Sequence, residues 1–491
     1  MKNGIIPLDS NGRVAMFIGR KEYLDSLAML WNKSTASLVT CRGRRRIGKS
    51  TLIEEFAART ADHFIEIEGL PPRKGMTDRR QRRHFCEVLS DQTGCRRTTP
   101  QSWTAAFRML DDAVPKDGRT VVLLDEISWM GSRNPDFAGF LKGAWDKLWR
   151  KHDNLIVVLC GSVSSWIADN ILNSTGFVGR NSLDVEVAEL SLPECVSCWG
   201  AAGERLSTME KLDFLAVTGG VPRYVEEIQP GYSVAENIGR MCFSPDGLLF
   251  REFDATFSEV FGRTSQSRGK VLRALSEKPL SMSELAAAGG QTANGRISRM
   301  LKELEYAGFV SGDSGLNPET GEPFRLERYR ICDAYTRFYL HYVEPKREAI
   351  QKGLFKFSSV EQLVGWSAWL GLQFETLVLN HVKELFPHLG LARTLVLSAA
   401  PYQRTNAAGE NCQIDLLIQT ASTAMVVEIK RRKKIDRTVI DEVREKVRRL
   451  KVSSDRSIRT ALVYAGELSD GVPADGYFDF IVPAEKLLLN E

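Results

Sequence analysis

The chain has 491 residues, which is too long for a single hydrophobic core and predicts about three domains. Its composition, with 43% hydrophobic and 26% charged residues, is that of an ordinary globular protein. The net charge of +4 excludes a polycation, so any nucleic-acid surface must come from local clusters of basic residues.

The cysteine pattern and the hydropathy of the chain point to a cytoplasmic protein. The nine cysteines are scattered, and Cys195 and Cys198 have no second pair or histidine at zinc spacing, so we expect ordinary thiols. The sequence has no N-terminal apolar signal region and no apolar run of about 18 residues. We therefore expect no membrane partner.

A phosphate-binding loop is predicted near the N-terminus. Ser37–Cys41 predicts a short buried strand, Gly43–Ser50 has the pattern G-x-x-x-x-G-K-S, and Thr51–Ala57 predicts the start of a helix. A chance glycine-rich turn would not account for the strand and the helix that flank it. Lys49 would reach the β- and γ-phosphates and Ser50 would ligate Mg²⁺, which makes ATP and Mg²⁺ the predicted cofactors. The residues expected to contact the nucleotide are Gly43, Ile47, Gly48, Lys49, Ser50 and Thr51.

Between this loop and the next motif lies a second predicted strand, His63–Ile67, and then the basic segment Pro71–Arg97. The segment permits two interpretations, an insertion that faces nucleic acid or the solvated face of a helix. Its clustered cations are Arg73, Lys74, Arg79, Arg80, Arg82 and Arg83.

Two further strands end in polar residues. Arg119–Glu126 predicts a hydrophobic strand that ends in two acids, as the Walker B partner of a phosphate-binding loop does. Asp125 would complete the Mg²⁺ shell, and Glu126 would act as general base on the attacking water. Asn154–Ser162 predicts a buried, parallel strand, and Ser182–Val187 is strand-like as well.

A succession of motifs over Phe17–Tyr224 resembles one family. The motifs are, in order, F-I-G-R, G-R-R-R-I-G-K-S, L-L-D-E-I, L-C-G-S, V-G-R and G-G-V-P-R-Y. This succession resembles the archaeal-type ATPases, a prokaryotic AAA+/STAND-related group of P-loop proteins. The resemblance implies an ATPase core at residues 14–187 and a helical lid at residues 188–264. One departure is Thr175–Val178, where family members usually carry a Pro-Leu-Tyr-like run.

The resemblance also implies roles for individual polar side chains. Arg20 would lie near the nucleotide; the alternative is a solvated arginine in a helix-capping turn. Ser162 would orient the water near the γ-phosphate, or would cap the following helix. Arg180 would be the finger offered to a neighbouring subunit, which implies a homo-oligomer, although the departure before it leaves this assignment open. Arg223 resembles the lid arginine called sensor 2, although the Gly-Gly-Val-Pro turn accounts for most of that motif without a function.

Residues 265–345 are predicted to form a winged helix-turn-helix. The third helix, Gln291–Gly308, has apolar residues at helical spacing, and a wing with its tip at Asn317–Glu322 follows. This domain would bind DNA, or would serve only for packing or dimerisation; the acidic wing tip argues against contact between wing and DNA. The basic residues expected to meet DNA are Arg296, Arg299 and Lys302.

Residues 360–491 are predicted to have the order α-β-β-β-α-β. The helices are expected at Leu370–Leu385 and Val439–Leu450, and Phe478–Val482 would add a closing strand. The other strands are expected at Thr394–Leu397, Gln413–Ile418, Ala424–Lys430 and Thr460–Tyr464.

Charged residues of this region resemble the PD-(D/E)xK nuclease core. Asp415 and Glu428 would bind Mg²⁺ or Mn²⁺, and Lys430, on the same strand face as Glu428, would activate or stabilise the attacking water. Glu375 would be an auxiliary metal ligand. The basic run Arg431–Lys434 would suit a phosphodiester. The alternative is that E-x-K merely ends a strand and begins this run.

The predicted fold class is α/β: a P-loop parallel sheet with a helical lid, a winged helix and a restriction-endonuclease-like C-terminal domain. The predicted function is a Mg²⁺-dependent ATPase that powers or gates metal-dependent cleavage of nucleic acid. DNA is the expected substrate, and defence against foreign DNA is one setting. The alternative is an ATP-dependent switch or DNA-binding regulator whose nuclease fold is inert. The role of Arg44–Arg46 stays open.

Overall fold

The computed structural model describes residues 17–162, 164–261, 265–288, 295–324, 328–405 and 411–489. The chain divides into two compact units, Met1–Ala188 and Glu189–Glu491. The predicted domain start at residue 14 and the predicted helix start at Gln291 lie outside the described residues. Within the described part of the chain, no helix is both long enough and apolar enough to cross a bilayer.

The first unit is built around a parallel five-stranded sheet with the strand order β2-β3-β4-β1-β5. Every residue of β3 and β4 is buried, as expected for central strands of a sheet that is covered on both faces. The predicted strands of this unit are confirmed to within two residues. They are β1 (Ser37–Arg42), β2 (His63–Glu68), β3 (Thr120–Asp125), β4 (Leu155–Gly161) and β5 (Asn181–Glu186).

Helices pack around this sheet, and the loop Gly43–Gly48 joins β1 to the second helix, which gives the α/β P-loop NTPase fold. Side-chain caps explain two helix starts, since Thr77 and Ser102 each accept a hydrogen bond from a backbone N–H three residues later. The helices are α1 (Lys21–Ala28), α2 (Lys49–Thr60), α3 (Asp78–Thr93), α4 (Trp103–Ala113), α5 (Ile127–Met130), α6 (Phe137–Lys147) and α7 (Ser164–Ile167).

The basic segment 71–97 contains α3. This helix buries Phe85, Cys86 and Leu89 in the core of the unit and turns its arginines outward. Arg82 forms an ion pair with Asp78 on the same helix. The segment thus has the solvated helical face that the sequence allows, and contact with nucleic acid stays a prediction.

The second unit begins with short helices. Several of its helices start at a capping box, in which Ser and Glu side chains three residues apart satisfy each other's backbone N–H groups. The helices are α8 (Leu192–Ser197), α9 (Gly200–Gly203), α10 (Thr208–Thr218), α11 (Pro222–Val225), α12 (Val234–Cys242) and α13 (Leu248–Phe261).

The middle of the second unit has three helices, α14 (Ser265–Glu277), α15 (Met282–Ala288) and α16 (Gly295–Tyr306), followed by an antiparallel ladder. The ladder pairs β6 (Val310–Asp313) with β7 (Arg328–Ile331). The apolar stripe predicted for the third helix is buried. Two short helices follow, α17 (Ala334–Phe338) and α18 (Arg347–Gln351).

The predicted wing tip lies against the C-terminal part of the same unit. The Leu316 carbonyl oxygen accepts a hydrogen bond from Gln419 Nε2 at 2.6 Å, and the Pro318 carbonyl oxygen accepts one from the Ser453 N–H at 3.1 Å. Phe324 and Tyr402 are in ring contact. This segment is therefore held by contacts within the second unit, and the expectation that it does not touch DNA stays a prediction.

The C-terminal part has a mixed five-stranded sheet with the order β12-β11-β10-β9-β8. The β8–β9 and β9–β10 pairs are antiparallel, whereas β10–β11 and β11–β12 are parallel. The strands are β8 (Ser398–Thr405), β9 (Asn411–Gln419), β10 (Thr423–Ile435), β11 (Ser457–Leu468) and β12 (Phe480–Pro483). The helices are α19 (Trp366–Asn380), α20 (Val382–Leu385), α21 (Thr438–Arg449) and α22 (Gly471–Asp475).

The predicted α-β-β-β-α-β order is present, with two local corrections. The strand predicted at Thr394–Leu397 is wrong, because this segment lies at the surface, with Leu395 79% exposed, and β8 begins only at Ser398. The predicted helix Leu370–Leu385 is two helices, which are separated at His381.

Candidate functional site

The phosphate-binding loop depends on glycine at two predicted positions. Gly43 has a φ of 148°, and a Cβ at this position would lie 2.6 Å from the carbonyl oxygen of Val187. Gly48 has a φ of 84° and is the residue before α2. Side chains are strained in both conformations, so the loop requires these glycines. The first N–H groups of α2 are available for phosphate because they have no partner within the helix.

The side chains that would serve ATP and Mg²⁺ are close together. Ser50 Oγ donates a hydrogen bond to Asp125 Oδ2 at 2.6 Å. The buried Lys49 donates from Nζ to the carbonyl oxygen of Arg44 at 3.0 Å, inside the loop. Mg²⁺ in nucleotide sites uses one or two protein oxygens together with phosphate oxygens and water. The Ser50 and Asp125 oxygens fit this requirement.

Glu126 follows β3 and has a φ of 45°, in the left-handed region that residues with a side chain rarely adopt. Its Oε2 accepts hydrogen bonds from Ser162 Oγ at 2.9 Å and from the Ser162 N–H at 3.3 Å. Burial raises the pKa of Glu126; Lys49 and the Ser162 bonds lower it, whereas Asp125 raises it further. This carboxyl therefore has the surroundings of a general base.

Two further acids, Glu66 and Glu68, lie near Asp125, and the sequence analysis did not predict them as part of the site. Burial, together with the neighbouring charges of Glu54, Asp125 and Glu68, raises the pKa of Glu66 to about 7. Glu68 is paired in register with Asp125 on the adjacent strand. The available signal was that Glu66 and Glu68 occupy alternate positions of β2, which places them on one face of the sheet.

Arg20 is a buried arginine that donates a hydrogen bond to the backbone of the phosphate-binding loop. It is only 6% exposed, and it donates from Nη2 to the Ile47 carbonyl oxygen at 3.0 Å and from Nη1 to the Ala188 carbonyl oxygen at 2.5 Å. The alternative of a solvated arginine is wrong. Direct contact with the nucleotide stays a prediction, because Arg20 holds a carbonyl of the loop itself.

The other predicted arginines have protein partners. Within the first unit, Arg180 forms a two-pronged pair with Asp146, at 2.7 Å from Nε and 3.0 Å from Nη2, and lowers the pKa of that carboxyl to about 2. Within the second unit, Arg223 pairs with Glu227 at 2.8 Å. Their roles toward nucleotide stay predictions. Of the open set Arg44–Arg46, Arg44 is buried in the loop.

The second site lies at the middle of β10. Glu428 is fully buried, and its Oε2 accepts a hydrogen bond from Lys446 Nζ at 2.5 Å. Lys430 forms an ion pair with Oε1 of the same carboxylate. Asp415 Oδ1 lies 3.3 Å from Lys446 Nζ, and Asp415 Oδ2 accepts from the Ile429 N–H at 2.9 Å. The predicted Asp415, Glu428 and Lys430 therefore come together, as expected.

An open cavity of about 930 Å³ in the second unit lies beside these residues, and its charged lining residues are six basic and four acidic. Asp415, Lys430 and Lys446 line it. The other charged lining residues are Glu375, Arg431, Arg432, Lys433, Glu442, Glu445 and Arg449. Such a wall suits the negative charge of a phosphodiester.

Glu375 reaches the same cavity from α19. Burial raises its pKa to about 7, and the charge of Asp415 acts in the same direction, whereas Arg337, Arg330 and Lys430 lower it. A carboxyl that titrates near neutrality is a weaker metal ligand than an ionised one.

The metal-binding role predicted for Glu375, Asp415 and Glu428 stays a prediction. Among the described residues, no group of three or more His, Cys, Asp or Glu side chains is placed to hold a metal ion. The ammonium group of Lys446 bridges Asp415 and Glu428. The position between these two carboxylates does accept a cation.

The sequence analysis missed Lys446. A signal was present, because the buried Val439 and Val443 of α21 define the helix face toward the sheet, and Lys446 follows Val443 by three residues on that face. A lysine there is placed to meet buried acids of the sheet.

No protein-family model matches the chain. An uncharacterized protein of Methanocaldococcus jannaschii is 21% identical over 439 residues, which cover 89% of this chain and 92% of that protein. An uncharacterized ATP-binding protein of the same organism is 46% identical over 43 residues, which cover 9% of this chain and 73% of that protein. The chain has the α/β P-loop NTPase fold, and its membership of the archaeal-type ATPases stays a prediction.

Solved structures also resemble this chain at a distance. The Walker-type ATPase PABY2304 of Pyrococcus abyssi has a TM-score of 0.46 at 17% identity, over 66% of this chain and 96% of that chain. The ORC2 protein of Aeropyrum pernix has a TM-score of 0.43 at 12% identity, over 72% of this chain and 97% of that chain. Similarities this distant say nothing about the activity of the present chain.

Proposed function

We propose that the first unit hydrolyses ATP with Mg²⁺. The observation that carries this proposal is the hydrogen bond of 2.6 Å between Ser50 Oγ and Asp125 Oδ2, at the N-terminus of α2. It brings a hydroxyl and a carboxylate together where a phosphate-bound Mg²⁺ would need both. Lys49 would neutralise charge on the β- and γ-phosphates.

In the proposed reaction Glu126 takes a proton from the attacking water. The water oxygen then bonds to the γ-phosphorus, the bond to the bridging oxygen breaks, and ADP leaves with that oxygen. Ser162 holds the carboxylate of Glu126 through two hydrogen bonds and so fixes its direction. Bound Mg²⁺ would offset the charge that develops on the phosphate oxygens.

The test compares two variants with the wild-type protein. Glu126→Gln should retain ATP binding and lose turnover by at least about a hundredfold, because the general base is gone. Lys49→Ala should weaken ATP binding. Lys21→Ala, an exposed lysine of α1, is the control and should change neither property. Hydrolysis that survives both of the first two changes would show that the site is wrongly assigned.

We also propose that the C-terminal part of the second unit cleaves nucleic acid, with DNA as the expected substrate, and that ATP hydrolysis powers or gates this cleavage. The supporting observation is that Asp415 and Lys430 line one cavity and that Lys430 and Lys446 both contact the buried Glu428 behind it. Asp415 and Glu428 would hold Mg²⁺ or Mn²⁺, and Lys430 would orient and activate a water. That water attacks phosphorus, and one P–O bond of the backbone breaks.

Purified protein incubated with DNA, Mg²⁺ or Mn²⁺, and ATP tests this second activity. The variant Glu428→Ala/Lys430→Ala should lose cleavage completely. Glu348→Ala/Lys352→Ala removes an exposed Glu–Lys pair of α18 and serves as the matched control. Equal nicking by all three proteins, or none across single-stranded DNA, duplex DNA and RNA, would leave the alternative function of an ATP-dependent switch with an inert nuclease fold.

The helices α14 to α16 and the β6–β7 ladder are proposed to form a winged helix that contacts DNA through α16. Arg296, Arg299 and Lys302 are exposed on this helix. Arg299→Ala/Lys302→Ala should weaken DNA binding and reduce its salt dependence by about two phosphate contacts. Lys270→Ala on α14 is the control and should reduce DNA affinity and its salt dependence less. An unchanged salt dependence would favour a packing module.

The proposal that the protein forms a homo-oligomer rests on Arg180 alone. To act as a finger toward another subunit, Arg180 must leave Asp146, with which it forms a two-pronged pair. ATP hydrolysis per chain should then rise with protein concentration, and Arg180→Ala should remove that rise. A rate per chain that is independent of concentration would contradict this part of the proposal.

A further inference from the structure

The candidate nuclease site contains a second lysine that lies outside the E-x-K motif. Lys446 comes from α21, and its Nζ lies 2.5 Å from Glu428 Oε2 and 3.3 Å from Asp415 Oδ1. These two carboxylates are the proposed metal ligands, and both are buried. The ammonium group of Lys446 thus bridges the same pair of acids that a divalent cation would bridge.

We infer that Lys446 is an internal cation that keeps divalent metal out of this site until a phosphodiester backbone enters the cavity and takes over its ammonium group. This inference rests on the proposed nuclease site and adds the order of its assembly. Metal and nucleic acid would then bind cooperatively, each raising the affinity for the other by the same factor.

The first argument is the balance of charge. The carboxylates of Asp415 and Glu428 carry two negative charges, and the ammonium groups of Lys430 and Lys446 contact them with two positive charges. A divalent cation added to this arrangement would leave an excess of positive charge in a buried position, where like charges repel strongly. Departure of Lys446 removes one positive charge and frees an oxygen of each carboxylate.

The second argument is the difference between the two lysines. Lys430 lies on the same strand as Glu428 and has a further acidic neighbour, Glu442, at 3.5 Å. Lys446 reaches the acids across the cavity from α21, and its side chain is 21% exposed. Because a lysine side chain has a flexible four-carbon stem, it can exchange one acceptor for another without movement of the helix. Of the two lysines, Lys446 is therefore the one whose ammonium group can leave the carboxylates.

The third argument is the character of the cavity into which Lys446 would turn. Phosphate oxygens that enter along the wall of the cavity offer the ammonium group a new anionic acceptor. The exposed wall residues Arg432 and Lys433 supply the attraction that brings a polyanion to this position. The ligand that displaces Lys446 is thus a phosphodiester, which is also the proposed substrate.

Binding of Mn²⁺ to the full-length protein, followed by electron paramagnetic resonance without nucleotide, tests the inference. Asp415→Asn identifies the signal of this site, because only that part of the binding should disappear. Without nucleic acid, Lys446→Met should bind Mn²⁺ at least about tenfold more tightly than wild type. Lys451→Met, an exposed lysine after α21, is the control and should match wild type.

A phosphorothioate oligonucleotide then serves as the probe of coupling. It should tighten Mn²⁺ binding to wild type by about tenfold and have no such effect on Lys446→Met. The inference is overturned if the oligonucleotide does not change the Mn²⁺ affinity of wild type. It is also overturned if Lys446→Met binds Mn²⁺ no more tightly than wild type does. If Lys446→Met fails to fold, as judged by circular dichroism, the wild-type titrations with and without oligonucleotide decide alone.

The outcomes separate this inference from the proposed nuclease activity. Coupled binding of Mn²⁺ and oligonucleotide without cleavage of any substrate would remove the nuclease proposal and leave Lys446 as the element that couples the two ligands. Cleavage by a protein whose Mn²⁺ affinity does not depend on Lys446 would remove the inference and leave the nuclease.

Discussion

Glu126 is held by Ser162 through two hydrogen bonds, from Oγ at 2.9 Å and from the backbone N–H at 3.3 Å. The two residues follow neighbouring strands of the parallel sheet, β3 and β4. The hydroxyl of Ser162 therefore acts on the carboxylate of the proposed base and not only on the start of the next helix. This relationship gives Ser162 a measurable role.

Ser162→Ala should lower kcat for ATP hydrolysis by about tenfold, the effect of losing one hydrogen bond to a charged group, while ATP affinity stays unchanged. Because the hydroxyl bond of Ser162 lowers the pKa of Glu126, its loss should also move the acid limb of the pH–rate profile to higher pH. Steady-state kinetics over a range of pH measure both effects. Ser174→Ala, a matched change elsewhere in the first unit, should have neither, and an unshifted acid limb in Ser162→Ala would contradict the assigned role.

Gly43→Ala should weaken ATP binding by more than about tenfold, because the new Cβ would lie 2.6 Å from the Val187 carbonyl oxygen and the backbone would be strained at a φ of 148°. Equilibrium dialysis with labelled ATP measures the loss. Gly139→Ala in α6 is the matched control, since its Cβ would meet nothing within 4 Å. Alanine should stabilise that helix by up to about 1 kcal/mol. Equal ATP affinity of the two variants would contradict the prediction.

The first unit could be predicted well from sequence because its signals are local. Central strands such as β3 are continuous apolar runs, and the loop between Gly43 and Gly48 carries its own pattern. The meeting of Ser50 with Asp125 followed from one rule, that parallel strands end at the same edge of a sheet.

Contacts between distant parts of the chain could not be predicted. Arg20 donates to Ala188, which is 168 residues away, and no local pattern encodes that pairing. Lys446 lies on a helix face that the apolar residues of α21 indicate, but that local signal does not say which acids of the sheet the face meets, so its contact with Glu428 was missed. The strand expected at Thr394–Leu397 failed because apolar residues in succession do not reveal whether a segment is buried.

Glu66→Gln should make the protein more stable above neutral pH. Burial, together with the neighbouring negative charges, raises the pKa of Glu66 from 4.5 to about 7, so between these values the folded protein keeps a proton that the unfolded chain has released. The free energy of unfolding of wild type therefore falls as pH rises through this window, and glutamine removes that fall. The gain should be on the order of 1 kcal/mol, after allowance for the partial exposure of Glu66.

Thermal unfolding without nucleotide or metal, between about pH 5 and pH 8, measures the difference between wild type and Glu66→Gln. The difference should be small at the acid end and should grow toward the alkaline end. Asp117→Asn, which changes an exposed acid of the same unit, should show no such growth. A constant difference across the range would mean that Glu66 does not titrate in this window.

Arg337 is the buried link between α17 and α19. It is 1% exposed, and it donates to Gln373 Oε1 at 2.9 Å, to Thr376 Oγ1 at 2.8 Å and to the Ile331 carbonyl oxygen at 2.8 Å. Burial lowers its pKa to about 10, which leaves the guanidinium charged at neutral pH. The charge of Arg337 also lowers the pKa of Glu375, which lies on the same helix as Gln373 and Thr376.

Arg337→Met should therefore destabilise the second unit by about 3 kcal/mol, because a chain of similar length would leave three buried acceptors without their donor. Scanning calorimetry, in which each cooperative unit gives its own transition, should show the corresponding fall of roughly 5–10 °C for one transition only. Arg251→Met removes an exposed pair with Asp246 in the same unit and should cost no more than about 0.5 kcal/mol. Comparable shifts in the two variants would mean that the hydrogen bonds of Arg337 do not hold α19, and with it Glu375, in place.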